Sequence, residues 1–283
     1  MALKLMYITN DAEVAKIAEN AGTDRIFIDM EYIGKAKRQF GLNTVQSHHT
    51  IQDIRNIKAV LTRAELMVRI NPIHEASAEY TSSEQEINDA IEAGADILML
   101  PYFKSAEEVR RFIQYTGGRA KIFPLLETPE AADAVDEILK LEGIDEIHIG
   151  INDLSLGYGK NFMFEMLADG TVERLCGKIK DAGIPFGFGG IASPGKGLLP
   201  AEYIIGEHYR LGSTRVILSR SFCNTAEISD PAEISAVFTK GIRDIRYFEK
   251  LCQKWSKAEF ETNRLEVIER VDKISEAIQR RKA

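Results

Sequence analysis

Acidic side chains follow directly after several short apolar runs of this 283-residue sequence, in positions where they could bind a cation. Asp29 and Glu31 close one run, Glu127 follows a second and Asp153 a third, while Arg69 closes a run between them. Carboxylates that are held close together repel each other, and a divalent cation offsets that repulsion. Oxygen ligands suit Mg²⁺ or Mn²⁺. The pattern predicts a site for one of these cations, if the fold brings the ends of the runs together.

A purely structural explanation is open for each acid alone. An aspartate or glutamate at such a place can cap a helix or lie in its first turn, where the helix dipole favours negative charge. Three runs that each end in an acid favour the metal site over three separate caps. The choice therefore depends on the fold that positions the ends of the runs.

The apolar runs alternate with amphipathic stretches, which is typical of repeated βα units. The predicted strands cover residues 5–9, 25–29, 66–70, 96–100, 121–126, 146–149, 185–189 and 214–218. Eight such units in about 220 residues predict an α/β fold of the TIM (β/α)₈ barrel type, whose working residues lie where the strands end. A doubly wound open sheet is the alternative, but a glycine-rich loop usually follows its first strand, and residues 8–11 contain no glycine.

The C-terminal part has a different pattern. We expect residues 1–225 to form the barrel domain and residues 226–283 to form a helical extension. Apolar residues between positions 234 and 251 follow helical spacing, and a second helix is predicted over about 258–279. The extension could pack on the outer helices of its own barrel or could contact another subunit, because enzymes of this kind are commonly symmetric homo-oligomers.

Composition restricts the class of protein. The net charge of −7 disfavours nucleic acid as a partner. The three cysteines form no CxxC pair, which is typical of a reducing compartment. No apolar run approaches the length of about 20 residues that a membrane span needs, and the N-terminus does not read as a signal peptide. These features predict a soluble cytoplasmic protein that does not bind membranes.

Two segments resemble one enzyme family. Residues 123–129 read Phe-Pro-Leu-Leu-Glu-Thr-Pro, and residues 143–159 read Gly-Ile-Asp-Glu-Ile-His-Ile-Gly-Ile-Asn-Asp-Leu-Ser-Leu-Gly-Tyr-Gly. With residues 24–31, 68–69 and 94–101, they resemble the HpcH/HpaI aldolase and citrate lyase β-subunit family over about residues 3–225. The resemblance implies a metal-dependent carbon–carbon lyase that cleaves or forms a pyruvate-type aldol through a metal-stabilised enolate, with a 2-oxo acid and an aldehyde as its small-molecule partners.

The resemblance also implies roles for particular residues. Glu127 and Asp153 match the family's metal ligands, and the 2-oxo acid would chelate that metal through its keto and carboxylate oxygens. Arg69 matches the arginine that lies against the keto oxygen. Backbone amides just before the aspartate would hold the substrate carboxylate. These amides belong to Gly150, Ile151 and Asn152.

The sequence departs from the family after the second strand. Many members carry Glu-His there, and that histidine takes part in proton transfer, whereas this chain has Glu31 followed by Tyr32. Tyrosine is a poor base near neutral pH. His48 and His49 in the next loop could substitute, or both could be solvated loop residues. A metal-bound water relayed by Asp29 is a third option, so Asp29, Glu31, His48 and His49 are all candidate catalytic residues beside Arg69.

Further candidates are less specific. Arg220 follows the eighth strand, with Lys196 after the seventh, and both could bind a distal anionic end of the substrate or be solvated. His148 lies mid-strand, where a packed core histidine is expected. Three other functions stay open: a citrate lyase β-like acyl-CoA lyase, a Schiff-base aldolase, and a catalytically silent barrel that acts as a binding or scaffold protein. No predicted strand ends in the lysine that a Schiff base needs.

Overall fold

Parallel strands form a closed barrel in sequence order. The computed structural model describes residues 2–35 and 47–282. The strands are β1 (Lys4–Ile8), β2 (Arg25–Asp29), β3 (Glu65–Arg69), β4 (Ile97–Leu100), β5 (Lys121–Leu126), β6 (Ile147–Ile149), β7 (Phe186–Ile191) and β8 (Arg215–Leu218). Strand β8 closes the barrel by pairing with β1. The prediction of a TIM barrel with additional C-terminal helices is confirmed, and the open sheet is excluded.

Helices surround the barrel and connect its strands. In the described part of the chain they are α1 (Ala12–Ala21), α2 (Ile51–Lys58), α3 (Ser83–Glu92), α4 (Ala106–Thr116), α5 (Pro129–Asp133), α6 (Val135–Ile138), α7 (Ile151–Gly157), α8 (Glu165–Ala168), α9 (Thr171–Asp181), α10 (Ala201–Leu211), α11 (Pro231–Cys252) and α12 (Lys257–Lys282). Ser105 caps α4 as the sequence predicts, and its partner Glu108 completes a capping box. Gly212 ends α10 with a φ of 82°, a conformation that favours glycine.

Two helical segments differ from the sequence prediction. The single helix expected over 129–141 is divided at Ala134 into α5 and α6. The short helix α7, which begins directly after β6, was not predicted. It has seven residues and no side-chain cap at Gly150, so neither apolar periodicity nor a cap residue announces it. This helix matters because it carries Asp153.

Packed side chains fill the barrel interior. An apolar cluster inside the strands consists of Met6, Phe27, Met67, Ile97, Met99, Phe123 and Leu125. Below it, the fully buried Arg25 donates to both Glu146 oxygens at 2.6 and 2.7 Å, and Arg215 donates to the same carboxylate at 2.7 Å. These ion pairs lie at the N-terminal end of the barrel, where residues generally contribute to stability and not to catalysis. The filled interior leaves the opposite mouth for a ligand.

The C-terminal helices pack on the barrel's own helices. Helix α11 lies against α1 and α10, and α12 lies against α10 and α8. The buried Glu249 of α11 accepts from the Leu3 amide at 2.6 Å, which ties the extension to the first strand. Tyr247 on α11 is 65% exposed and Leu265 on α12 is 56% exposed. The extension therefore packs internally, and an additional contact with another subunit stays a prediction, as does a domain boundary near residue 225.

Two simple sequence expectations can be compared with the structure. The cysteines Cys176, Cys223 and Cys252 are all buried and unpaired. Within residues 2–35 and 47–282, none of the helices has the length and apolar character that crossing a membrane requires. His148 is buried in β6, where Nε2 lies 3.0 Å from the Gly189 carbonyl oxygen, so the expectation of a core histidine is confirmed.

Two buried histidines should make the fold acid-sensitive. Burial lowers the pKa of His148 from 6.5 to about 4 and that of His208 from 6.5 to about 3. The unfolded chain takes up these protons below pH 6.5, whereas the folded chain does not, so stability falls as the pH falls from 6.5 towards 4. We expect a loss of about 2 kcal/mol per histidine between pH 7 and pH 5, measured by urea unfolding.

A matched pair of variants tests this assignment. His148→Gln and His208→Gln should each reduce the pH dependence by about half, whatever the stability of the variant at pH 7. An unfolding free energy that is equal at pH 7 and pH 5 in the unmodified protein would contradict the expectation.

Candidate active site

The ends of β2 and β3 form an ion pair at the barrel mouth. Asp29 and Arg69 are neighbours in the parallel register of these strands. Arg69 donates from Nε to Asp29 Oδ1 at 2.8 Å and from Nη2 to Oδ2 at 2.7 Å, a bidentate pair that fixes the guanidinium. Glu31 Oε2 lies 3.4 Å from Arg69 Nε. The structure thus brings together three of the residues that the sequence predicts.

Lys35 is a further member of this cluster, and sequence reasoning missed it. Its Nζ donates to Asp29 Oδ2 at 2.6 Å and lies 3.5 Å from Glu31 Oε2, and its side chain is 5% exposed. The one signal in the sequence is its position four residues after Glu31, a spacing at which opposite charges pair within a helical turn. The spacing alone does not tell a buried lysine from a solvated one.

The two cations determine the state of Asp29. Burial would raise the pKa of Asp29, but Arg69 and Lys35 outweigh burial and hold that pKa well below its usual range. The Asp29 carboxylate accepts four hydrogen bonds, two from Arg69, one from Lys35 and one from the Glu31 amide at 3.3 Å. A carboxylate has about four lone-pair positions. This geometry favours an anchoring role for Asp29 over a role as proton relay.

Glu127 and Asp153 line one cavity of about 210 Å³ at the mouth. Glu127 lies at the end of β5 and is buried, and its Oε1 accepts from the Tyr102 amide at 3.0 Å. Burial raises the pKa of Glu127 well above its usual range, and the neighbouring carboxylates of Glu31 and Asp153 raise it further, against the attraction of Arg69. The negative charge on Glu127 is thus unfavourable without an additional cation.

The donor set fits a divalent cation. The cluster formed by Asp29, Glu31, Glu127, Asp153, Lys35 and Arg69 has four carboxylates against two cations, a formal charge of −2. Within the described residues, no group of three or more His, Cys, Asp or Glu side chains is arranged as a ligand set. Mg²⁺ commonly uses one or two carboxylates and completes its shell with water and substrate oxygens. A pair of carboxylates is therefore sufficient.

Gly150 makes room for Glu127. A Cβ atom at position 150 would lie 2.7 Å from both Cβ and Oε2 of Glu127. The Gly150 N–H donates to the Leu126 carbonyl at 2.9 Å in the strand pairing, and its predicted contact with a substrate carboxylate stays a prediction. The next two residues, Ile151 and Asn152, begin helix α7, where amide donors lack partners within the helix.

The two histidines of the loop before α2 differ in their surroundings. His48 is exposed, with its ring 6.3 Å from the Tyr32 ring, whereas His49 is buried and accepts at Nδ1 from the Asp29 amide at 3.0 Å. The interpretation of both as solvated residues is confirmed for His48 and wrong for His49. The Tyr32 hydroxyl donates to the His49 carbonyl. Burial and the charge of Asp29 raise the pKa of Tyr32, so this tyrosine is an unsuitable base.

A larger cavity of about 390 Å³ adjoins the ion cluster. Its charged lining residues are Asp29, Lys35, Arg69 and Arg220, three cations against one carboxylate, in a chain of net charge −7. Arg220 also lines an adjoining cavity of about 660 Å³ together with Lys196. A positive cavity in an acidic protein concentrates anionic ligands. The structure thus places Arg220 at the far end of the mouth from Glu127.

Comparison with known proteins identifies related sequences. The sequence model of the HpcH/HpaI aldolase/citrate lyase family matches residues 4–184. A 2-keto-3-deoxy-L-rhamnonate aldolase of Shigella dysenteriae is 27% identical over 214 residues, which cover 64% of this chain and 72% of that enzyme. An Escherichia coli enzyme of the same name is 28% identical over 183 residues, which cover 53% of this chain and 60% of the enzyme.

Solved structures share the fold. The HpcH/HpaI aldolase from Desulfitobacterium hafniense aligns with a TM-score of 0.60 and 17% identity, over 87% of this chain and 93% of that chain. An HpcH/HpaI aldolase/citrate lyase family protein from Burkholderia cenocepacia aligns with a TM-score of 0.58 and 16% identity, over 82% and 95% of the two chains. At this identity the likeness supports the barrel alone.

The close contact at position 150 yields a test. Gly150→Ala should displace Glu127, because the backbone angle there suits alanine and the added methyl meets the carboxylate side chain. We expect Mn²⁺ affinity to fall at least tenfold, measured by calorimetric titration, with a stability loss of about 1–3 kcal/mol from overpacking. Gly177→Ala on α9 is the control, since a Cβ there meets no atom within 4 Å. Unchanged affinity in Gly150→Ala would contradict this account.

Proposed function

The chain belongs to the HpcH/HpaI aldolase/citrate lyase family, a family of carbon–carbon lyases, and we propose that it cleaves or forms a pyruvate-type 2-oxo acid aldol with a divalent cation held by Glu127 and Asp153. The observation that carries the proposal is the buried Glu127 carboxylate, which shares a cavity with Asp153 and is destabilised by its carboxylate neighbours. Such a pair favours a cation, and the family match favours a lyase.

The proposed reaction breaks the bond between C3 and C4 of the aldol. The C4 hydroxyl loses its proton to water and becomes the aldehyde, the bonding electrons pass to the 2-oxo acid, and C3 then takes up a proton from water. A bound Mg²⁺ or Mn²⁺ would act as a Lewis acid at the keto oxygen, where negative charge develops. Arg69 would place its guanidinium beside that oxygen, and its bidentate pair with Asp29 holds it in position before substrate arrives.

Other residues of the mouth would orient the substrate. The amides of Ile151 and Asn152 at the start of α7 are suitable donors for the substrate carboxylate, with Gly150 providing space for Glu127. The rest of the aldol would extend into the 390 Å³ cavity, whose far side carries Arg220. This cavity suits a polar, hydroxylated aldehyde half. The first compound to test is 2-keto-3-deoxy-L-rhamnonate, because the similar enzymes of Shigella dysenteriae and Escherichia coli are named as aldolases of this compound.

We also propose a setting for the enzyme. The buried, unpaired cysteines and the acidic charge support a cytoplasmic enzyme of small molecules rather than a partner of nucleic acid. Exposed apolar residues on α11 and α12 support a homo-oligomer in which the 226–283 extension contributes to the contact. The apparent molecular mass in solution is the corresponding measurement.

Lys35 bears on the Schiff-base alternative. It is a buried lysine that lines the 390 Å³ cavity, and it lies after β2 rather than at the end of a strand. The structure therefore offers a candidate lysine for a Schiff base that inspection of the strand ends did not reveal. Its Nζ lies 2.6 Å from Asp29 and 3.5 Å from Glu31, so the lysine is held in ion pairs with two buried carboxylates. Formation of a Schiff base would require both ion pairs to break. These contacts favour the metal-dependent mechanism, and borohydride trapping of a pyruvate adduct would instead support the lysine.

The direct test is exchange of the methyl hydrogens of pyruvate in deuterated water, followed by NMR. Exchange should require Mg²⁺ or Mn²⁺ and should stop with excess chelator. Glu127→Gln and Asp153→Asn should each lower the rate at least 100-fold, because each removes a charge that would hold the cation. Glu130→Gln is the control, since Glu130 is an exposed neighbour on α5 that pairs with Lys104. Full exchange in chelator would contradict the proposal, and no exchange under any condition would favour a silent barrel.

A further inference from the structure

The hydrogen bonds of His49 fix the position of its proton. The Asp29 backbone N–H can only donate, so the His49 Nδ1 that accepts from it at 3.0 Å must be without a proton. The neutral ring then carries its proton on Nε2. The backbone of His49 is held as well, because the Tyr32 hydroxyl donates to the His49 carbonyl. His49 is thus a histidine of one tautomer in a buried, fixed position.

This geometry disfavours a role in moving protons. A second proton could bind only at Nδ1, and the resulting Nδ1–H would face the Asp29 N–H with both groups donating, which is unfavourable when buried. Burial lowers the pKa of His49. The negative charges of Asp29 and Asp53 oppose this effect, whereas the positive charges of Lys35 and Arg69 lower the pKa of His49 further. The side chain therefore stays neutral near pH 7, with one donor.

The place of His49 in the mouth indicates which part of a substrate it meets. Arg69 is attracted to Glu127 and also lines the 390 Å³ cavity, so it lies between the pair of Glu127 and Asp153 and that cavity. A 2-oxo acid bound at Glu127 and Arg69 would extend its remaining carbons into the 390 Å³ cavity. His49 lines this cavity together with Thr9, Ser219 and Arg220. His49 therefore faces the aldehyde half.

We propose that His49 is a catalytic residue that donates from Nε2–H to the oxygen on C4 of the aldol, as a fixed neutral donor rather than as a proton-transfer base. This inference rests on the proposed function. In the synthetic direction the donor polarises the aldehyde carbonyl, and in cleavage it stabilises the C4 oxygen as its proton leaves. A donor held in place before the reaction stabilises developing charge without reorganisation. Neutral histidines polarise carbonyls in this way in other barrel enzymes.

The inference separates two activities. Enolisation of pyruvate involves no C4 oxygen, so His49→Phe should keep the metal-dependent methyl exchange within about twofold. Condensation of pyruvate with an aldehyde should fall about 100-fold, the usual effect of losing one such donor. The probes are pyruvate with a panel of aldehydes that includes glycolaldehyde, and the fastest is used. His49→Gln, which keeps an amide donor, should recover part of the condensation rate, and Glu130→Gln at an exposed position on α5 should change neither activity.

A spectroscopic readout tests the tautomer in the unmodified protein. Nitrogen NMR of the labelled protein should show Nδ1 without a proton and Nε2 with one at pH 7 to pH 8. A doubly protonated ring in this pH range, an equal loss of exchange and condensation in His49→Phe, or wild-type condensation in that variant would each overturn the inference. Absence of exchange in the unmodified protein would instead reject the proposed function. The NMR result remains decisive if His49→Phe fails to fold.

Discussion

The mouth of the barrel depends on an imbalance of buried charge. Asp29, Glu31 and Glu127 are buried, Asp153 lies beside Glu127, and Lys35 and Arg69 are the cations that contact the first two. Asp29 forms ion pairs with both Arg69 and Lys35, and these cations hold its pKa below the usual range. Burial and the neighbouring carboxylates raise the pKa of Glu127, and the attraction of Arg69, which is already paired with Asp29, does not outweigh them. The arrangement therefore contrasts an ion-paired anchor, Asp29, with the pair of Glu127 and Asp153, whose mutual repulsion a divalent cation would offset.

Distant parts of the fold keep this arrangement in place. The packed interior and the Arg25–Glu146 pair close the opposite end of the barrel. The mouth is therefore the end of the barrel at which a ligand can enter. At the mouth itself, Gly150 lets Glu127 approach the start of α7, and the Tyr102 amide orients the Glu127 carboxylate. The backbone of Tyr102 has a φ of 48°, which is uncommon outside glycine, and this turn aims the amide.

The sequence allowed prediction of what periodicity and strand ends encode. The eight strands were located within two residues at each end, because buried parallel strands read as apolar runs. Arg69 and Asp29 were found as strand-end residues. Lys35 and the burial of His49 could not be found in this way, because both depend on contacts that these two residues make with Asp29 in the folded chain. The use of the Gly150 amide in the pairing of β5 and β6 was likewise not visible in the sequence, because it depends on the register of these strands.

The central claim is that Glu127 and Asp153 together hold one divalent cation. Calorimetric titration of Mn²⁺ into the protein and into Asp153→Asn tests it most directly. The account predicts one cation per chain in the unmodified protein and at least tenfold weaker binding in the variant. Undiminished binding in Asp153→Asn, or no binding to the unmodified protein, would contradict it.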